Sequence, residues 1–269
     1  MKIKKRYIGI VQGRLTVSKE LQSFPKKPFR EFDLAKKLGY NFIELFTERK
    51  FNRKNPIWSL ESRKRLKKIA KSNNLTLLTA SDDHIISSGF NKKYLIYVRR
   101  LIKNLSKLKI KKFIIPLEGK AEVSSLNLKK TILFLNKISQ ICYKEKINYL
   151  LIESNIDFNT FQNIRNSIKR KNIFFLYDLG NRVNFYKNVF LDILKFGNNI
   201  KQIHIKDKDS YNKNVLIGKG NVDFKAAFRA IKKISQKNLS FVFENNRGKN
   251  PLITARKNIN FFKKLIKEV

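Results

Sequence analysis

The sequence is poor in the residues that form disulfide frameworks, thiolate zinc sites and imidazole clusters. It contains one cysteine, Cys142, and two histidines among 269 residues. A single cysteine excludes an internal disulfide and a cysteine-rich zinc site, and it suits a reducing compartment. Cys142 lies in a helical run and is predicted to be buried packing. Two histidines exclude any centre that requires a cluster of imidazoles.

Long apolar runs are also missing. No segment approaches the roughly 20 apolar residues that a helix needs to cross a bilayer. The apolar run after the basic residues 1–6 extends only from Tyr7 to Val11, before the polar Gln12. We therefore expect a soluble, cytoplasmic protein with no membrane partner.

Acidic residues are scarce, with 20 Asp and Glu against 60 Lys and Arg and a formal net charge of +40. A basic surface gives nonspecific affinity for phosphate groups through counterion release. Here, however, lysine is spread over every segment. Lys, Asn, Ile and Phe are all abundant and all have A/T-rich codons, so a biased genome explains the composition as well as a ligand does. We expect weak affinity for polyanions and no specific nucleic-acid partner.

Short β-rich apolar runs alternate with longer segments of helical periodicity, which is typical of βα units around a parallel sheet. The predicted strands, about eight by this pattern, are Tyr7–Val11, Asn41–Phe46, Leu75–Ala80, Lys112–Pro116, Asn148–Glu153, Ile173–Asp178, Ile200–Lys206 and Leu239–Glu244. The predicted helices include Leu60–Ser72, Lys92–Leu108, Leu128–Lys146, Phe224–Gln236 and Thr254–Lys267. No linker rich in Pro, Gly or Ser divides the chain. We predict one α/β domain over residues 1–269, a closed (β/α)8 TIM barrel rather than an open doubly wound sheet.

The scarce acidic residues gather at the predicted carboxyl ends of the strands, where such barrels build their active sites. Glu153, Asp178, His204 and Glu244 close the last four apolar runs. Each alone is more commonly a cap, an ion-pair partner or a packed histidine, but four at successive strand ends predict a metal site. Three carboxylates with one imidazole suit an open, oxygen-rich site. We predict one divalent ion, Mn²⁺ first, with Mg²⁺, Co²⁺ or Zn²⁺ as alternatives.

The chain resembles the xylose isomerase-like barrel superfamily of sugar and sugar-phosphate isomerases and epimerases. The similarity covers nearly the whole chain and rests on Leu-Ile-Glu-Ser-Asn around Glu153, Tyr-Asp-Leu-Gly-Asn around Asp178, Ile-His-Ile-Lys-Asp around His204, Ile-Gly-Lys-Gly-Asn-Val-Asp-Phe from Ile217 and Phe-Glu-Asn around Glu244. The resemblance implies that Glu153, Asp178, His204 and Glu244 ligate one divalent metal. In the epimerases it also implies that the two glutamates face opposite sides of the substrate as acid and base.

The chemistry explains why these residue types are needed. Removing a proton beside a carbonyl forms an enediolate, which a metal stabilises by polarising the oxygens while carboxylates move protons on either face. Two flanking glutamates would invert a stereocentre, whereas one base serving both steps would exchange aldose and ketose. We therefore predict a metal-dependent isomerase or epimerase of a sugar, sugar phosphate or related hydroxy-carbonyl compound, with Glu153 and Glu244 as its catalytic residues.

Three polar residues after the early strands are candidate substrate ligands. Arg14 could clamp a phosphate or carboxylate through its bidentate fork, or equally form an ion pair with Glu44 or another carboxylate at the same end. Gln12 could bind a hydroxyl or make a structural bond to the adjacent strand. His84 could contact substrate or donate a proton, although a supporting position is more common for such a residue.

Two further candidates stand where the chain departs from the ketose epimerases that it resembles. Asn181 is nearest to the place where several of them have a histidine after the aspartate ligand. Lys206 and Lys208 are the only cations near the place of a sugar-binding arginine after the histidine ligand. These departures argue against 3-epimerisation of a free ketohexose, and they leave Asn181 and Lys206 as predicted substrate ligands.

Two other functions stay open. A DNA-repair endonuclease of the same fold, similar to endonuclease IV, would use the basic surface to hold a damaged duplex, but that family builds a three-metal centre from many histidines. A catalytically silent carbohydrate-binding barrel would keep the four ligands without turnover. Members of the superfamily are often dimers or tetramers, so the resemblance also implies a possible homo-oligomer.

Overall fold

The computed structural model describes residues 7–18, 23–183, 185–186, 188–234 and 238–269. The strands are β1 (Tyr7–Val11), β2 (Phe42–Thr47), β3 (Thr79–Asp82), β4 (Lys112–Pro116), β5 (Tyr149–Glu153), β6 (Ile173–Asp178), β7 (Ile200–Ile205), β8 (Asp207–Lys208), β9 (Asn214–Val215) and β10 (Ser240–Phe243). Eight of them close into a barrel in the order β1-β10-β7-β6-β5-β4-β3-β2, and β8 pairs with β9 in a separate antiparallel ribbon. The predicted (β/α)8 barrel is confirmed.

Helices stand between the barrel strands. They are α1 (Arg30–Leu38), α2 (Leu60–Ser72), α3 (His84–Ser88), α4 (Lys92–Lys107), α5 (Leu128–Lys144), α6 (Phe158–Asn166), α7 (Leu179–Val183), α8 (Val189–Phe196), α9 (Phe224–Ile234) and α10 (Pro251–Glu268), with 3₁₀ turns at Gly119–Ala121 and Gly197–Asn199. Their apolar stripes point inward, as in α4, which buries Tyr94, Val98, Leu101, Ile102 and Leu105. Among these described helices, none combines the length and the apolar character required to span a membrane.

The third strand is the largest error in the predicted bounds. The run Leu75–Ala80 was expected to form it, but β3 begins at Thr79, which pairs with Lys112 of β4. Leu75 and Leu77 are buried without joining this ladder, so their apolar character reports packing and not strand pairing. Asp82 is consequently the last residue of β3, aligned with Thr47 of β2.

Several helix ends also differ from the prediction. Helix α4 ends at Lys107 and not at Leu108, α5 at Lys144 and not at Lys146, and α10 at Glu268 and not at Lys267. Helix α10 begins at Pro251 and not at Thr254, because the Asn250 side chain caps it by accepting from the backbone N–H groups of Leu252 and Ile253. Helix α9 ends at Ile234, and the predicted end at Gln236 lies outside the described residues.

The described residues divide into two compact units. One comprises the described part of Met1–Ile43 with Leu176–Val269, and its parallel pairs β1–β10 and β10–β7 bury Ile10, Ile203 and Val242. The other, Glu44–Phe175, contains the β3–β4–β5 ladder, whose central strand is buried along its whole length, as parallel strands covered on both faces are. Cys142 of α5 is buried there, as predicted. The extent of the domain, residues 1–269, stays a prediction.

Candidate metal centre and substrate site

The four predicted metal ligands lie at the ends of four barrel strands. Glu153 and Asp178 are the last residues of β5 and β6. His204 is the second-to-last residue of β7, and Glu244 directly follows β10. Each offers one ligand atom, and these atoms lie within 4.8 Å of one another. All four residues are buried, with 2–8% of their surface exposed. The structure therefore brings together the residues that the sequence analysis grouped, while their function as ligands stays a prediction.

Glu244 lies among three basic side chains. Its Oε1 lies 3.2 Å from Arg14 Nη2, and its Oε2 lies 3.1 Å from both His204 Nδ1 and Lys206 Nζ. Burial alone would raise the pKa of Glu244, but Lys206, His204 and Arg14 together lower that pKa well below its ordinary value. Glu244 is therefore an ionised carboxylate at neutral pH, the form that binds a cation.

The two carboxylate oxygens of Asp178 have different surroundings, one at the backbone of α7 and the other among the predicted ligands. Oδ1 accepts from the backbone N–H of Asn181 at 2.7 Å, which fixes the carboxylate at the start of α7. Oδ2 is buried and accepts no well-directed hydrogen bond from the described residues, although Lys206 Nζ lies 2.8 Å and His204 Nδ1 3.8 Å away. A buried carboxylate oxygen of this kind needs a cation close to it. Lys206 supplies one here, and the set of three carboxylates and one imidazole fits a divalent metal at the same place.

His204 is held from behind by residues that the sequence analysis missed. Gln202 Nε2 lies 3.2 Å from His204 Nε2, and Gln202 Oε1 accepts from Ser240 Oγ at 3.0 Å. Gln202 and Ser240 are fully buried and face each other across the β7–β10 pair. For Gln202 the sequence did contain a signal, because it lies two residues before His204 and residues two apart on a strand face the same side. Nδ1, the nitrogen near Glu244 and Asp178, is thereby directed into the ligand set.

Arg14 is 1% exposed and forms the ion pair with Glu244, one of the two interpretations left open by the sequence. Its loop is anchored by Glu31, which accepts from the backbone N–H of Gly13 at 2.8 Å and from Thr16 Oγ1 at 2.6 Å. Arg247 donates to the Gly13 carbonyl oxygen from the other side, at 2.6 Å. The loop is therefore rigidly placed, and a phosphate or carboxylate clamp at Arg14 stays a prediction.

Gln12 and Asn181 make contacts that hold loops in place. The Gln12 amide, 3% exposed, donates to the Pro28 carbonyl oxygen at 3.5 Å, which is long for a hydrogen bond. Asn181 uses its backbone N–H on Asp178, while its side chain is half-buried. The contacts of both residues with substrate stay predictions.

His84 opens α3, and a network within the Glu44–Phe175 unit fixes its position. Its Nδ1 lies 2.7 Å from the Arg49 carbonyl oxygen, and its ring lies 4.5 Å from that of Tyr97. The neighbouring Asp82 is fully buried and accepts from the hydroxyls of Tyr94 at 2.7 Å and Tyr97 at 3.1 Å. Burial raises the pKa of Asp82 in spite of these donors. A supporting position for His84 agrees with this network, and its contact with substrate stays a prediction.

The Gly218–Gly220 segment, part of the motif from Ile217, surrounds an internal carboxylate. Asp207 is buried, and its oxygens accept from the backbone N–H groups of Gly218 at 2.9 Å, Gly220 at 2.8 Å and Val222 at 3.1 Å. A Cβ at Gly220 would lie 2.4 Å from Asp207 Oδ1, so the turn requires glycine. The loop N–H groups serve this turn into α9.

No curated protein matches the sequence closely enough to count as a relative. Solved structures match it over nearly their whole lengths. A D-psicose 3-epimerase from Clostridium cellulolyticum H10, solved with D-tagatose, is 13% identical with a TM-score of 0.76, covering 97% of this chain and 99% of that chain. An L-ribulose 3-epimerase is 17% identical with a TM-score of 0.77, covering 98% and 95%. The IOLI protein, solved with a zinc atom, is 18% identical with a TM-score of 0.72, covering 97% of both.

These structural neighbours share the barrel and include sugar epimerases. The sequence itself matches, over residues 32–265, the model of the family described as xylose isomerase-like TIM barrel. That match spans most of the chain and includes all four residues of the buried acidic and histidine cluster. The chain belongs to the xylose isomerase-like TIM barrel family.

Proposed function

We propose that this chain is a divalent-metal-dependent isomerase or epimerase of a sugar, sugar phosphate or related small hydroxy-carbonyl compound. The observation that carries the proposal is the buried cluster of Glu153, Asp178, His204 and Glu244, whose ligand atoms lie within 4.8 Å of one another. Family membership and the sugar epimerases among the structural neighbours support the same chemistry.

The metal would be held by these four residues. A bound divalent ion polarises the oxygens of a hydroxy-carbonyl substrate and so acidifies the neighbouring C–H group. Three carboxylates favour a hard ion, so Mn²⁺ is our first candidate, and Mg²⁺, Co²⁺ and Zn²⁺ are alternatives. The zinc atom in the IOLI protein supports a divalent ion in this fold without identifying the ion used here.

The proton transfers would be carried out by Glu153 and Glu244. One carboxylate removes the proton from the carbon beside the carbonyl, and the other, or the same one, returns it. Return to the opposite face gives an epimer, and transfer to the neighbouring carbon gives the isomer.

The proposed substrate ligands are Gln12, Arg14, His84, Asn181 and Lys206. The Arg14 guanidinium is suited to a phosphate or carboxylate. We also propose a cytoplasmic location and a possible assembly of identical chains.

Solvent proton exchange tests the reaction before any product is known. The metal-loaded chain is incubated in deuterated water with a panel of ketoses, aldoses and their phosphates, and deuterium uptake beside the carbonyl is followed by NMR. We expect exchange in at least one panel member. A chain that binds metal and catalyses no exchange with any of them would instead be a silent carbohydrate-binding barrel.

Alanine variants of the two histidines, one inside the cluster and one outside it, test the metal site. We expect His204→Ala to weaken Mn²⁺ binding by at least ~10-fold, because it removes the imidazole of the cluster. His84→Ala, which removes the other histidine, should leave Mn²⁺ affinity unchanged. Calorimetric titration of metal-stripped protein measures both, and full-affinity binding by His204→Ala would exclude this ligand assignment.

A further inference from the structure

Lys206 places a positive charge inside the predicted ligand set. Its Nζ lies 2.8 Å from Asp178 Oδ2 and 3.1 Å from Glu244 Oε2. Those are the same two oxygens that approach His204 Nδ1, at 3.8 and 3.1 Å. The residue is 6% exposed, so little water separates the ammonium from the carboxylates, and the interaction is only weakly screened by salt.

The chain folds so as to hold this lysine in place. Lys206 follows β7, and the next residue, Asp207, is fixed by four backbone N–H donors. On its other side lies Gly180, where an added Cβ would stand 2.9 Å from Lys206 Cγ and 3.1 Å from its carbonyl oxygen. The absence of a side chain at Gly180 is therefore what gives the stem of Lys206 its room.

The charges of the site make this lysine and a divalent ion alternatives. The formal charges of Glu153, Asp178 and Glu244 sum to −3, and those of Arg14 and Lys206 sum to +2. A divalent ion together with Arg14 neutralises the three carboxylates. Keeping Lys206 between the same oxygens as well would leave an excess positive charge in a buried site, which is unfavourable.

We propose that Lys206 is an internal counter-cation of the metal site, which neutralises Asp178 and Glu244 when no metal is bound and is displaced by the incoming divalent ion. This inference rests on the proposed metal dependence. The affinity for metal is then the difference between two interactions, because each incoming ion must break the ion pairs of Lys206 with Asp178 and Glu244. Displacement also frees the ammonium to contact substrate, the role that the sequence analysis gave it.

The test compares Lys206→Met with Lys208→Met in the full chain. Methionine keeps the apolar stem and removes the charge, and Lys208, whose Nζ donates to Asn212 at 3.0 Å, is the matched control two residues away. Each metal-stripped protein is titrated calorimetrically with MnCl₂ at fixed pH and salt. We expect Lys206→Met to bind Mn²⁺ at least ~10-fold more tightly than the parent chain and Lys208→Met to stay within about 2-fold of it.

Thermal unfolding gives a second readout that does not depend on activity. With a chelator present, Lys206→Met should unfold at least about 4 °C below the parent chain, because two buried carboxylates lose their partner. Saturating Mn²⁺ should close most of that gap, since the ion replaces the lost charge. Lys206→Arg, which keeps the charge, should resemble the parent chain in chelator.

The outcomes separate this inference from the proposed reaction. Unchanged or weaker Mn²⁺ binding by Lys206→Met, or an unchanged unfolding temperature in chelator, would overturn the counter-cation role. Absence of Mn²⁺ binding in both the parent chain and Lys206→Met would overturn the role together with the metal site. Tighter Mn²⁺ binding by Lys206→Met, with no proton exchange on any sugar by the metal-loaded parent chain, would support the role while rejecting the isomerase.

Discussion

Glutamate and glutamine have nearly the same size, so their exchange separates the proton-transfer role of a carboxylate from its place in the fold. We expect Glu153→Gln and Glu244→Gln to fold and to lose ~10²–10⁴-fold in turnover, the usual loss when general acid–base catalysis is removed. The measurements are kcat on the substrate found by exchange, together with Mn²⁺ affinity. Glu61→Gln, at an exposed position of α2, is the control.

Deuterium exchange in the same variants distinguishes the two kinds of reaction. If the two glutamates act on opposite faces, exchange survives in one variant while inversion stops in both. Near-normal turnover in both variants with metal still bound would show that acid and base lie elsewhere, and His84 and Lys206 would become the leading candidates.

Gln202 contacts the nitrogen of His204 that faces away from the other predicted metal ligands. Nδ1 lies on the side of Glu244, at 3.1 Å, so metal binding there requires the imidazole proton on Nε2. The Gln202 amide can turn its oxygen toward Nε2, because the Ser240 hydroxyl can accept as well as donate. The His204 and Ser240 contacts of Gln202, at 3.2 and 3.0 Å, lie on the β7–β10 pair.

We therefore expect Gln202→Leu to weaken Mn²⁺ binding by ~10–100-fold. Gln202→Glu retains an acceptor for the Nε2 proton and should bind Mn²⁺ at least as well as the parent chain. Calorimetric titration measures both variants. Equal losses in the two would mean that Gln202 contributes packing and not the orientation of the imidazole proton.

At the scale of elements, apolar runs and their alternation with helical periods were enough to predict the barrel. The runs ending at Glu153, Asp178 and Glu244 mark strands because parallel strands are buried on both faces. The same criterion misplaced β3, since Leu75 and Leu77 are apolar for packing and lie outside its ladder. Contacts between side chains on different strands leave no local pattern at all.

In the site, too, the strand-end residues could be predicted from the sequence, whereas the contacts between residues far apart in the chain could not. Its acidic residues stood out because acids are scarce in this chain and collect at strand ends. The ion pair of Arg14 with Glu244 joins residues 230 positions apart, so no spacing could indicate it. Gln202 and Ser240 are ordinary strand residues until the register between β7 and β10 is known.

The turn before α9 depends on one buried carboxylate. Asp207 accepts from four backbone N–H groups, those of Lys208, Gly218, Gly220 and Val222. We expect Asp207→Ala to lower the free energy of unfolding by about 2–4 kcal/mol, because buried donors lose a charged acceptor. Asp209→Ala, which removes an exposed acceptor in the same ribbon, should cost under ~1 kcal/mol. Urea unfolding measures both, and similar losses would contradict a special role for Asp207.

At the scale of the whole molecule, the net charge of +40 bears on polyanions more than on catalysis. The described residues include a basic cavity of about 870 Å³ at the N-terminal end of β5 and β6, lined by Lys144, Lys146, Lys169, Arg170, Lys171 and aromatic residues such as Tyr143. Glu153 stands at the opposite end of β5. Polyanion binding at this cavity would therefore be separate from the predicted chemistry.

We expect intact and abasic DNA duplexes to bind this chain with the same weak affinity, falling steeply between about 50 and 200 mM salt, because the attraction is counterion release from phosphates. Fluorescence anisotropy over that salt range measures both duplexes. Replacing Lys169, Arg170 and Lys171 by Gln should weaken binding to both duplexes equally and leave Mn²⁺ affinity unchanged. His204→Ala should leave DNA affinity unchanged, since it removes no permanent surface charge. Saturable binding to the abasic duplex at physiological salt, with metal-dependent strand cleavage lost in His204→Ala, would instead establish a DNA-repair endonuclease that works with only two histidines.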